Sequence, residues 1–117
     1  MSASPASGRD WSLGAVLAER RIDSRTYLLI VRADVGLAAS MDLRRRLLEL
    51  RLAGHTTVLV DLEAGGHVSG PMMAALMQAA RQFAAREGRL VVASEQAAVR
   101  AALQRAGFEP VNGLENE

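Results

Sequence analysis

His67 and Ser69 stand two residues apart in the segment DLEAGGHVSGPMM, residues 61–73, which also carries the carboxylate of Asp61 and the glycine pair Gly65-Gly66. A serine beside a histidine is a starting point for nucleophilic catalysis. Side chains that close in sequence seldom reach the geometry of a base and its nucleophile, and no third group stands ready to orient the imidazole. The glycine pair before a helix start could cradle an anion on backbone N–H groups. No Lys-Ser/Thr follows it as a phosphate-binding loop requires, and no G-x-G-x-x-G is present, so these are read as loop glycines. Neither His55 nor His67 has a second ligand at metal-binding spacing, and the chain has no cysteine. The expectation is a protein that is not an enzyme and holds neither metal nor cofactor.

The residues that position this loop are easier to read. Val58, Leu59, Val60 and Leu62 form a near-continuous apolar run broken by Asp61, the pattern of a central strand covered on both faces. Asp61 is read as a structural acceptor for N–H groups of the following loop. Pro71 suits the first position of a helix, which makes Gly70 the expected N-cap. Met73, Leu76, Met77, Ala80, Phe83 and Ala84 then recur at helical spacing, and Gln78, Arg81, Gln82 and Arg86 fall opposite. Met72 lies on the flank of that stripe and is expected half exposed beside the loop, where methionine adapts well to a partner.

Around this junction the chain alternates strands and helices. Residues 1–10 read as a mobile tail, 11–112 as one domain and 113–117 as a polar terminus. Leu13 to Glu19 and Thr26 to Val31 are expected to pair as a hairpin across the polar break Asp23 to Arg25. Ala33 to Leu37 reads as a turn. A helix follows from near Ala38 to Ser40 and stops at Gly54, with Leu43, Leu47 and Leu50 toward the sheet. His55 falls in a polar turn and is expected exposed. Gly88 is expected to end the second helix, Leu90 to Ala93 to form a strand, and Ser94 to cap a third helix, Glu95 to Ala106, stopped by Gly107. Phe108 to Val111 reads as a possible edge strand. The order implies a mixed sheet of four to five strands with parallel crossovers and about three helices, an α/β fold.

The first helix carries a second apolar stripe. Met41, Leu48 and Leu52, with Arg45 between them, lie roughly opposite its core residues at about 100° per residue. Another part of the chain could cover that stripe; so could a partner or a second copy. Arg44, Arg45, Arg46 and Arg51, with Glu49 among them, read as a solvated face. With 14 basic and 13 acidic residues the net charge is +1, which gives no nucleic-acid footprint. No run approaches the length of a membrane span and no signal peptide is legible, so the simplest expectation is a cytoplasmic protein.

From Thr26 to Phe108 the residues resemble the STAS domain of bacterial anti-sigma-factor antagonists. That family shows a G-x-L-D-x-x-x-A-x-x-L-R element, a strand ending D-L, a loop motif D-S-[ST]-G-L, a helix, a short strand and another helix. RADVGLAASMDLRRRLLEL and the stretch from Val58 to Phe108 follow this layout without a gap, with Leu43-Arg44, Asp61-Leu62, Leu76, Gly88, Val99-Arg100, Leu103 and Gly107 in register. On this resemblance the family's usual final helix is expected to be missing, because residues 113–117 are short and polar.

The functional letters depart from the family. The loop motif's aspartate falls on Ser69, its phosphorylatable serine on Gly70, the next hydroxyl position on Pro71, its glycine on Met72 and its leucine on Met73. In the first motif the aspartate falls on Gly36 and the glycine on Ala33. The resemblance implies a non-catalytic regulatory interaction module, bound by an ATP-binding anti-sigma kinase or related regulator, whose phosphoswitch is lost at Gly70. Phosphorylation at Ser69 would require a register shift of one. The implied contact residues are Gly36, Gly66, His67, Ser69, Gly70, Pro71 and Met72. Two alternatives stand beside it: a STAS-like subunit of a larger regulatory or transporter-associated assembly that uses Met41, Arg45, Leu48 and Leu52, and a nucleotide or phosphometabolite binder that uses the loop N–H groups.

Overall fold

The computed structural model describes residues 14–63 and 67–109. Four strands and three helices follow in the order β1 (Val16–Arg21), β2 (Thr26–Arg32), α1 (Leu37–Leu52), β3 (Thr57–Glu63), α2 (Gly70–Ala84), β4 (Arg89–Ala93) and α3 (Ala97–Arg105). The sheet runs β1-β2-β3-β4, with β1 antiparallel to β2 and the other two pairings parallel. The expected hairpin is made by Asp23, whose Oδ1 accepts the N–H groups of Arg25 and Thr26 at 2.8 Å each. These bonds hold the Asp23 carboxyl below the usual carboxylate range. A bulge between Val16 and Ala18 bends the edge strand.

Each parallel strand is added on the same side of the last, so right-handed crossovers send α1 and α2 to one face of the sheet. Leu29 and Val31, Val58, Val60 and Leu62, and Val92 line that face. They join Leu43, Leu47 and Leu50 of α1, Met72, Leu76, Ala79 and Phe83 of α2, and Val99 and Leu103 of α3 in one buried cluster. The central strand therefore differs from expectation. Instead of being covered on both faces, β3 alternates: Val58, Val60 and Leu62 are buried, while Leu59 and Asp61 are half-buried. Leu28, Ile30 and Val91 share that second face and are half-buried too.

Arg46 ties α1 to the hairpin. Its Nη2 and Nε reach Glu19 Oε1 and Oε2 at 2.7 and 3.2 Å, and the Tyr27 hydroxyl donates to Glu19 Oε1 at 2.9 Å. Burial pushes the Glu19 carboxyl up, but the bonds from Arg46 and Tyr27 outweigh it and hold the group below its ordinary value. The guanidinium lies 5.7 Å from the Tyr27 ring centre, a cation–π distance. Arg46 is thus a clamp rather than part of a solvated face. His55, expected exposed, is half-buried with its ring 5.0 Å from that of Tyr27.

The helix ends show where sequence rules compete. Leu37, expected in the turn, is already helical, and Gly54 closes α1 at φ 102° as expected. Ser94 accepts the Gln96 N–H at 3.1 Å, and this local turn delays α3 to Ala97, so Glu95 lies outside the helix. The buried stripe of α2 is Met72, Ala75, Leu76, Ala79 and Phe83, rotated from the expected one. Phe108 and Glu109 belong to no strand; residues 1–13 and 110–117, including the expected tails and the place of the family's final helix, lie outside the described residues.

Gly88 does more than the helix stop expected of it, in which its N–H donates to the Phe83 carbonyl at 2.7 Å. The helix ends at Ala84, and Glu87 takes the left-handed conformation at φ 62°. The Arg89 N–H then bonds the Thr56 carbonyl at 2.8 Å, drawing the start of β4 against that of β3. A Cβ on Gly88 would stand 2.6 Å from the Thr56 carbonyl oxygen and 3.2 Å from that of Phe83. Both obstacles are backbone. Gly88→Ala is expected to lower stability by about 1–3 kcal/mol, the range for forced overpacking, seen as a lower urea midpoint with an unchanged slope. A midpoint equal to wild type would show that the approach is not tight.

Candidate functional site

The parallel strands β2 and β3 deliver both crossovers to the carboxyl edge of the sheet, where ligands and partners of open α/β folds gather. Ala33 follows β2 and pairs with the end of β3 through its N–H to the Glu63 carbonyl at 3.3 Å. The backbone then reaches Gly36, the N-cap of α1, which has no side chain to cap the helix. Ser40 donates its N–H and its hydroxyl to the Gly36 carbonyl at 3.0 and 2.8 Å, which closes the first turn without supplying an acceptor to its N–H groups.

Ser69 connects this segment to α2 with four bonds. Its N–H donates to the Ala33 carbonyl at 2.9 Å, and its hydroxyl donates to the Val35 carbonyl at 2.5 Å. The same oxygen accepts the Met72 N–H at 3.2 Å, and the Ser69 carbonyl accepts the Met73 N–H at 2.9 Å. Ser69 is therefore the N-cap of α2, in place of the expected Gly70. A hydroxyl satisfies a free helix N–H as glycine cannot, and Pro71 is tolerated one position later because N–H groups throughout the first turn lack helical partners.

The N-termini of α1 and α2 are consequently held side by side. Neither helix has an acidic residue in its first turn, so both positive dipole ends face the same edge without local neutralisation. Gly36, His67 and Gly70 are exposed, and Ser69 and Pro71 are half-buried. Six of the seven expected contact residues are described; Gly66 lies outside the described residues. Met72 is corrected: it is 0% exposed, because it stands one turn before Leu76 on the buried stripe of α2 with Ala75, Ala79 and Phe83. The Ser69 hydroxyl hydrogen is spent on Val35, so it is not paired with His67 as a catalytic dyad would need. Among the described residues no group of three potential metal ligands occurs, and no helix is long and apolar enough to cross a membrane.

Residues 18–114 match the family described as Mlab, STAS domain. The chain belongs to the STAS domain family. Its four-stranded mixed sheet and three helices agree with that assignment. No curated protein matches the sequence. In this STAS domain, the carbonyls of Ala33 and Val35 that position Ser69 are what sequence reading missed. A backbone acceptor has no residue-type signature, and residues 33–37 showed only turn character.

Deleting the hydroxyl separates these roles. Ser69→Ala is expected to destabilise the fold by about 1–2 kcal/mol, through loss of an N-cap and of a part-buried bond to Val35. Equilibrium urea unfolding measures the change. A loss within a few tenths of a kcal/mol would mean that the hydroxyl does not link the helices.

Proposed function

We propose that this STAS domain is a non-catalytic regulatory interaction module of the anti-sigma-factor-antagonist type, acting in the cytoplasm, with its contact surface on the edge where α1 and α2 begin. Family membership supports the regulatory role. The observation that carries the reading is the Ser69 link, which presents Gly36, His67, Gly70 and Pro71 on one preformed edge. A surface already ordered before contact loses little entropy on binding. The partner class implied by the resemblance is an ATP-binding anti-sigma kinase or a related regulator.

Gly70 stands where the family's phosphorylatable serine would be, so binding in this reading is constitutive. Ser69 acts as the link between helices, and a phosphoryl group there would replace the hydrogen donated to Val35. A carboxylate at position 70 tests the edge cleanly. Gly70 is exposed and an added Cβ meets nothing within 4 Å. An acid in the first turn also favours the helix by about 0.3–1 kcal/mol, so failure to bind would not reflect unfolding.

Affinity capture from host lysate with wild type, Gly70→Glu and Leu48→Glu is the experiment. Wild type and Leu48→Glu are expected to recover a kinase-like ATPase that Gly70→Glu loses, while Gly70→Glu melts at or above the wild-type temperature. Equal recovery by Gly70→Glu would contradict the reading. Loss with Leu48→Glu alone would favour a subunit of a larger assembly joined through α1.

A further inference from the structure

α1 presents a second organised surface opposite the core. Its buried residues are Ala39, Ser40, Leu43, Leu47 and Leu50. Leu37, Met41 and Leu52 on the other side are 64%, 52% and 66% exposed, and Leu48 is half-buried. The expected stripe is present, open at Met41 and Leu52 and partly covered at Leu48 between them.

The spacing of the line is that of a helix seam. Written as a heptad, α1 has Ala38, Arg45 and Leu52 at a, and Met41 and Leu48 at d. The positions that normally face solvent, b, c and f, hold the residues packed into the domain's own core. The two flanks of the seam differ in sign. The e positions are Asp42 and Glu49, both acidic, and the g positions after Leu37 are Arg44 and Arg51, both basic.

That segregation identifies an occupant and its direction. In a parallel helix pair related by a two-fold along the helices, g of one chain meets e of the other. In an antiparallel pair, e meets e and g meets g. The parallel arrangement brings Arg44 of one chain to Glu49 of the other, twice by symmetry; the antiparallel one opposes carboxylates with carboxylates and guanidiniums with guanidiniums. We propose that α1 is a homodimerisation surface on which a second copy of this chain docks in parallel through Met41, Leu48 and Leu52, with Arg44–Glu49 pairs across the seam.

The existing contacts allow the exchange. Arg44 holds Gln78 and Glu49 holds Arg46 at 3.1 Å, in exposed bonds that cost little to rearrange. Arg45 sits at a, where a polar residue lowers affinity and fixes register and two-strandedness; Asp42 of its own helix pairs with it. A helix of 16 residues supplies just over two heptads, short of the three or four that sustain an independent coiled coil. The dimer is accordingly micromolar rather than nanomolar.

Sedimentation of the purified full chain over a concentration series reads the equilibrium. A monomer–dimer transition is expected. Leu48→Glu should abolish it, and Leu52→Glu, at a more exposed site, serves the same purpose if Leu48→Glu melts below wild type. Arg44→Glu and Glu49→Arg should each weaken association by about fivefold, as two exposed pairs turn repulsive, and the double swap should restore it. Because the chain has no cysteine, Met41→Cys should form a self-disulfide under mild oxidation in the parallel pair. An antiparallel pair centred on the seam would separate the two Met41 positions by roughly 15 Å at ~1.5 Å per residue. A monomer at every concentration, a dimer untouched by both glutamate variants, a dimer strengthened by Arg44→Glu, or an absent Met41→Cys disulfide would each overturn the proposal.

Discussion

The hydroxyl of Ser69 is shared between two crossovers: it gives its hydrogen to the Val35 carbonyl and takes one from the Met72 amide. Without that shared atom, the direct bond between the loop after β2 and the start of α2 would be the Ser69 amide to Ala33, with the Ala33 N–H still on the Glu63 carbonyl. The helical period then sets the burial: Met72 shares the buried face with Leu76, and Gly70 and Pro71 are left at the edge. The capping bonds fix where α2 begins, and its period fixes which residues the edge exposes.

Strand order sets the second constraint. Parallel addition in one direction places the helices on one face, so α1 has an inner side built from Leu43, Leu47 and Leu50 and an outer side free to meet another surface. The clamp of Arg46 on Glu19 and Tyr27 fixes the helix against the hairpin, and Leu43, Leu47 and Leu50 seat it in the core. A helix anchored in this way is a suitable platform for a narrow contact along its outer ridge. The edge at the helix N-termini and the ridge of α1 are separate surfaces, which lets one domain carry two associations.

Much of the fold was legible in residue pattern. The β-rich run Thr26 to Val31, the apolar run of β3 and the i, i+3, i+4 repeats of the helices placed the central elements, and the STAS resemblance rested separately on motif residues such as Leu43-Arg44 and Asp61-Leu62. Misreadings arose where two local rules competed or where the deciding partner was distant in sequence. Pro71 suggested a first helical position, yet Ser69 is the stronger cap, and the buried stripe runs through Met72 and Ala75 where Met73 and Met77 were expected. Gly88 was read as a helix stop alone, whereas the Thr56 carbonyl makes it a close-approach position as well. His55 looked exposed because Tyr27 lies far away along the chain. Of the candidate site, register with the family singled out Gly36, Ser69, Gly70 and Pro71, and the loop itself singled out His67; the partners that hold Ser69, Ala33 and Val35, act through carbonyls, which no residue letter encodes.

Amide hydrogen exchange on the intact chain tests the central claim most directly, because the Ser69 and Met72 amides are the two donors that report the link itself. If the helix N-termini are held as a preformed edge, both amides will be protected to nearly the same degree as Val60 in the centre of the sheet, opening only with the fold as a whole. Exchange at Ser69 and Met72 close to the unprotected rate, with Val60 still protected, would contradict the account: the edge would open independently of the core.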